Sequence, residues 1–255
     1  MSDHSFLPAW REQSLGRRLF LRVSAASAAS VALVATGCAK DPVTPTAPDP
    51  YKLLLPAKGT GLLYYAYLMA LAQTTVYQKL VDTPPTDFTV ADRAIFADLR
   101  DHGVVHRETL RYLIDPTLAQ QLFPTGFAFS ITSFTLTTRA GALTAAQQLA
   151  DLVAAAYPTL LPLFTALADL AYAEKDIATQ TKLVNQRSVL VKVSSVQSRH
   201  AAAVRDLLMP GSFANSTAVD ASGQLITKTP TEVMATLDPY FAPYVISVVN
   251  LPLPV

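Results

Sequence analysis

The 255-residue sequence is short of charge and almost without thiol. Its single cysteine, Cys38, excludes a disulfide within the chain and any zinc motif built on paired cysteines. Charged residues make up 15% of the chain against 51% hydrophobic. An average soluble domain is roughly 25% charged, so a core is easy to bury and extended disorder fits only a short linker. A net charge of +1 without a long basic run removes the footprint of a nucleic-acid binder. There is no glycine-rich phosphate loop, no Gly-x-Ser-x-Gly elbow and no internal repeat of solenoid period.

What the sequence does have begins with an address. In "SLGRRLFLRVSAASAASVALVATGC" (14–38), Arg17 and Arg18 precede an apolar run from Val23 to Val34. That run is shorter than the ~20 residues of a permanent span, so residues 1–37 read as a signal peptide. The order of Arg17, Arg18, Leu19, Phe20, Leu21 and Arg22 resembles the twin-arginine export signal. Val34-Ala35-Thr36-Gly37-Cys38 resembles a lipobox, in which Cys38 carries the lipid and becomes the mature N-terminus. Residues 38–58, with "AKDPVTPTAPDP", read as a Pro-rich, weakly structured tether. The expectation is an exported, periplasmic or cell-envelope lipoprotein, held on a membrane face by its lipid and not spanning the bilayer.

From Gly59 to Leu208 the apolar residues recur at helical spacing. Leu62, Tyr65, Ala66, Met69, Ala72, Gln73, Val76 and Leu80 share one face of a first helix, ended by Pro84-Pro85. A second helix starts at Thr89, an N-cap with Asp92 three residues on, and stops at Asp115-Pro116. Its stripe is Ile95, Leu99, His102, His106, Leu110 and Leu113, which turns both histidines inward. Residues 115–141, with "FAFSITSFTLTTR", read as a long connection. A third helix begins near Ala142, is interrupted at Pro158 and Pro162, and resumes from Leu163 to about Ala173. The last runs from about Lys175 to Leu208 with Val189, Val193, Val196, His200, Val204 and Leu207 along one side. Residues 209–255 read as an extended tail on the body with one short helix near 230–237. Two helices, a long crossover and two more helices predict an all-α four-helix bundle of ferritin-like connectivity.

His102 and His106, four residues apart on one face, raise the question of a metal. Ferritin-like di-iron sites take a Glu from each of two helices and a Glu-x-x-His from each of the other two. The blocks "YAYLMALAQTTVY" (65–77), "RDHGVVHR" (100–107), "QLADLVAAAY" (148–157) and "SRHAAAVRDLL" (198–208), with "MPGSFAN" and the final "NLP", occur in this order. In them the chain resembles exported bacterial ferritin-like domain proteins related to plant desiccation-related proteins. The resemblance implies ligand positions where this chain has Ala70 and Gln73, Gly103 and His106, Ala150, and Gln197 and His200. The histidines are present; the glutamates are replaced.

Two iron cations need several anionic ligands to offset their repulsion and lost hydration, and this set supplies none. The expectation is therefore no di-iron centre, no catalytic residue and no cofactor: a degenerate site in a structural, binding or stress-associated envelope protein. The alternative is a single zinc or copper ion on Asp98, His102, His106 and His200, in a mononuclear metal-binding or redox protein. The competing account of the same residues is that Gln73, Gln197 and the histidines hydrogen-bond one another across the interior. Gly103, in mid-helix, would let a facing helix approach. Asp151 and Asp169 read as solvated or capping, and Tyr64, Tyr65, Tyr67 and Tyr77 as core. The partners expected are the membrane, through the anchor, and an unidentified protein such as an intact ferritin-like paralogue.

Overall fold

The structure is a computed structural model and describes residues 49–117 and 123–252. The expected signal peptide, with Arg17 and Arg18, and the expected lipid site Cys38 lie outside the described residues. Pro48–Val255 forms one compact unit. It is all-α apart from one pair of short strands. Four long helices, α1 (Lys58–Asp82), α2 (Val90–Ile114), α3 (Arg139–Ala173) and α4 (Ile177–Leu208), are followed by the short α5 (Pro230–Leu237). Strands β1 (Lys52–Leu54) and β2 (Val245–Ser247) pair in parallel, Leu53 opposite Ile246.

The helices begin where the sequence offers a cap. Thr89 accepts from the Asp92 N–H while the Asp92 carboxylate accepts from the Thr89 N–H, a reciprocal capping box that starts α2. Thr229 and Glu232 repeat the arrangement at α5, with Pro230 in the first turn. The α3 helix starts at Arg139, three residues before its expected start, with Thr138 accepting from the Gly141 N–H. The α4 helix starts at Ile177 rather than Lys175, because Asp176 accepts from the Thr179 N–H and is the cap.

The interruption expected at Pro158 and Pro162 does not occur: α3 runs unbroken through both. A proline inside a helix strands the carbonyl four residues back and usually costs about 3 kcal/mol. Here the tail fills in beside it. The Lys228 N–H donates to the Ala155 carbonyl at 2.8 Å, and the Thr159 hydroxyl donates to the Lys228 carbonyl at 2.6 Å. These bonds tie the tail to the proline stretch, beside the Ala154 and Pro158 carbonyls that the two rings leave without a helical donor.

The α1 helix packs on α2 and α3, and α3 on α4; α2 and α4 meet along a thinner seam. Every residue of the expected α1 stripe is buried, and so are Leu63, Leu68, Ala70, Thr74 and Tyr77, so α1 is enclosed on most sides. On α2 the buried stripe is Phe96, Leu99, Gly103, His106 and Leu110. Ile95 is only half-buried and His102 is exposed, which corrects the expected face by about one residue. On α4, Val193, His200 and Val204 are buried as expected, while Val189, Val196 and Leu207 are half-buried. His102 stands at the thin α2–α4 seam, against His200.

The tether and the tail are more ordered than their composition suggests. The last part of the expected linker supplies β1 and the buried Leu55. The tail adds α5, a 3-10 turn (Asp238–Phe241) and β2 to its extended stretches. Phe123, Phe127, Phe129 and Phe134 of the crossover stack among Tyr240, Phe241 and Tyr244 of the tail. This aromatic packing joins the long connection to the main core, with Phe123 also against Tyr64 and Tyr67 of α1.

Candidate functional site

The positions that the resemblance implies are all buried, as neutral groups, and the histidines among them meet one another and Gln197. From α1 the interior receives Ala70 and Gln73, from α2 Gly103 and His106, from α3 Ala150, and from α4 Gln197 and His200; all are buried. The Gln197 amide nitrogen lies 3.1 Å from His106 Nδ1, which fixes His106 as acceptor at that atom. His200 Nε2 lies 3.1 Å from His102 Nδ1, and the two rings stack within 10° of parallel. One of that pair donates and the other accepts. The expected hydrogen-bonding of the histidines with Gln197 is therefore present. Gln73 is the exception, for its amide nitrogen has no partner, and neither has the Gln197 amide oxygen.

Burial decides the charge state of this cluster. It pushes His106 down from 6.5 to about 4, with repulsion from His102 adding to it. His200 is pushed down to about 4 as well, first by burial and then by His102, His106 and Arg199. At neutral pH the buried imidazoles are uncharged. No carboxylate stands among them, and burial likewise raises the neighbouring Tyr77 phenol.

A pair of iron ions does not fit this set. At the positions where the resemblance implies glutamates stand Ala70, Gln73, Gly103, Ala150 and Gln197, which offer no anionic oxygen. The backbone has also closed on one of them. A Cβ at Gly103 would sit 3.0 Å from Thr74 Oγ1, and that hydroxyl is itself held by donation to the Ala70 carbonyl at 2.6 Å. The α1 and α2 helices thus approach where a ligand side chain would have stood. The mononuclear set is also loosely assembled. Asp98 and His102 are exposed, and no group of three or more His, Cys, Asp or Glu close enough to hold a metal occurs among the described residues.

The formal charges near the core stand in two ion pairs instead. Arg139 grips Asp92 with two bonds of 2.9 Å and also donates to the Leu207 carbonyl, so one ion pair ties the starts of α2 and α3 to the end of α4. That pairing holds the Asp92 carboxyl well below the usual carboxylate range. Asp151, expected to be solvated or capping, accepts from Arg205 Nε at 2.7 Å and from Thr217 at 3.2 Å. Arg205 in turn donates to the Phe213 carbonyl, which fastens the first turns of the tail. Asp169 is exposed, as expected. The sequence carried a signal for Asp92 in its capping box, but none for its distant partner.

A surface cavity of about 250 Å3 opens beside the start of α1, walled by Lys58, Leu167, Leu183 and Gln186 among others, and none of the three histidines lines it. Family models, curated proteins and solved structures were each compared with the chain, and none matches.

Proposed function

We propose that this chain is an exported, lipid-anchored ferritin-like four-helix bundle whose di-iron site is degenerate, and that it serves the cell envelope as a structural or stress-associated protein without catalysis. The observation that carries the reading is the neutral, mutually bonded interior: His106 is satisfied by Gln197 and His200 by His102. Support for the fold comes from the connectivity. Residues 115–138 separate two helix pairs, as the crossover of a ferritin-like bundle does. Twin-arginine export on Arg17 and Arg18 and lipidation of Cys38 rest on the order of these residues in the sequence. An intact ferritin-like paralogue is a fitting partner, since a bundle without its own metals can still lend scaffold to one that has them.

Elemental analysis of the purified chain tests the reading, with a chelator melt and the variants His106→Ala and His200→Ala in parallel. A metal-free chain whose stability is indifferent to chelation agrees with it. Two metal ions per chain at a bridging distance would overturn it. A second reading, one zinc or copper ion, draws on the 3.1 Å separation of His102 Nδ1 and His200 Nε2, which is within reach of a shared ion. One equivalent of metal, lost in His200→Ala and in His102→Ala, would favour that reading.

A further inference from the structure

The α4 helix turns outward a face that nothing in the body covers. From Ile177 to Arg205 it contains no Asp or Glu, while Lys182, Arg187, Lys192 and Arg199 stand exposed along it. Arg187, Lys192 and Arg199 are in no ion pair among the described residues; Lys182 faces Asp115. The carboxylates at the helix ends are occupied, Asp176 by the Thr179 N–H and Asp206 by the Gly211 N–H. Glu174 stands beyond the N-terminal end.

The same face carries Ile177, Val184 and Val191, exposed by 55%, 47% and 40%. Spaced by seven, they form one ridge, and the 3.6-residue turn places Arg187 on one flank with Lys192 and Arg199 on the other. Single exposed aliphatics need no explanation. An aliphatic ridge between unpaired cations does, because it is the pattern of a helix lying in a lipid–water interface. Nucleic acid would satisfy the cations but not the ridge, and the flanking of the ridge by cations on both sides matches a plane of lipid phosphates.

We propose that the outer face of α4 docks on an anionic lipid surface, with Ile177, Val184 and Val191 entering the headgroup layer and Arg187, Lys192 and Arg199 meeting lipid phosphates. The proposal rests on the lipid-anchor reading only for bringing such a surface within reach. Docking would lay the body flat on the membrane that its tether reaches.

A tryptophan reporter at exposed Ser188, introduced as Ser188→Trp in the full chain, tests this on vesicles containing brominated lipid; the native Trp10 gives a background that the parent chain subtracts. Quenching is expected on phosphatidylglycerol vesicles and not on phosphatidylcholine. Each basic residue at an anionic surface contributes about five-fold in partitioning, so R187Q/K192Q/R199Q should weaken it by on the order of a hundredfold. The same charge change placed elsewhere, K52Q/K79Q/R93Q, should leave it within about two-fold. V184S/V191S should weaken binding and leave the remainder fully reversible by salt. Circular dichroism melts check that each variant folds, and Ser195→Trp replaces the first reporter if it does not. Equal quenching on neutral vesicles, no quenching on anionic vesicles at low salt, indifference to the triple change, or tight single-stranded DNA binding indifferent to V184S/V191S would each overturn the proposal. Failure of the anchor reading shows elsewhere: Cys38→Ser would then leave membrane retention in cells unchanged while the vesicle result stands.

Discussion

Mild acid should loosen this protein through His106 and His200. In the unfolded chain both imidazoles take up protons near 6.5, whereas in the folded body burial delays uptake to about 4. Between those values the unfolded state binds more protons, so stability falls as pH falls through 6.5 and levels off below about 4. Moving one imidazole from 6.5 to about 4 is on the order of 3 kcal/mol at 1.36 kcal/mol per pH unit. His106 and His200 also repel one another when charged, so the two are coupled. Even one such contribution is a large part of the 5–15 kcal/mol that holds a typical domain together.

Urea unfolding followed by circular dichroism at pH 7.5, 6, 5 and 4.5 reads this directly, as a midpoint that drops across the series. Glu232, depressed from 4.5 by the Thr229 N–H, touches only the acid edge of the window, and the depressed aspartates lie below it. Arg139 holds Asp92 below its ordinary value, so the stability that pair contributes is lost only as pH falls below 3.8. His106→Gln and His200→Gln should each flatten the slope, and the double variant should nearly abolish it. A midpoint constant from pH 7.5 to 4.5, or an equally steep fall in the double variant, would refute the claim that two buried neutral imidazoles sit in this interior.

Asp92→Ala removes a buried carboxylate, its two hydrogen bonds to Arg139 and its half of the α2 capping box together, at a cost of about 3 kcal/mol; the melting temperature should drop by roughly 6–12 °C. Gly103→Ala should destabilise by about 1 kcal/mol in the parent, where the new methyl meets Thr74 Oγ1, yet stabilise by a similar amount in a Thr74→Ala background, where helix propensity alone remains; equal effects in both, read by urea midpoints, would sink the close-approach argument. Restoring carboxylates as Gln73→Glu, Ala150→Glu and Gln197→Glu should bring ferrous iron binding above the parent by calorimetry, accompanied by loss of metal-free stability of several kcal/mol from the buried charges.

The helices were legible because they are amphipathic and capped. Thr89 with Asp92, and the α1 stripe from Leu62 to Leu80, sit as the spacing predicts. The sequence misled where a local rule was overruled from a distance. Pro158 and Pro162 break a helix in isolation, but here the tail braces the stretch, Lys228 donating to the Ala155 carbonyl and accepting from the Thr159 hydroxyl. His102 belongs to the apolar stripe by periodicity, yet it stands exposed at the α2–α4 seam, where packing is thin. The site positions were legible by residue type, but the 3.1 Å contacts of Gln197 with His106 and of His102 with His200 depend on tertiary register that no spacing encodes. The β1–β2 pair was invisible for the same reason, three residues at either end of the body being too few to show a pattern.

The two half-buried ion pairs and the neutral interior are parts of one arrangement. A carboxylate deep among α1, α2, α3 and α4 would need a cation there, and without metal there is none, since both buried histidines are uncharged at neutral pH. Among the described residues, charge near the core is carried instead as matched pairs, Asp92 at 2% exposed with Arg139 at 35%, and Asp151 at 17% with Arg205 at 6%. At those positions it also binds things that would otherwise drift: Arg139 fastens α2 and α3 to the end of α4, and Arg205 fastens the tail. Glutamines and histidines can fill the centre because their hydrogen bonds need no counter-charge, although the unpartnered Gln73 nitrogen and Gln197 oxygen show that the fit is incomplete. Each such orphan costs on the order of 1–3 kcal/mol. Gln73→Leu should therefore raise the urea midpoint of the body; a lowered midpoint would show that the Gln73 amide is partnered after all, with the Tyr77 hydroxyl the candidate.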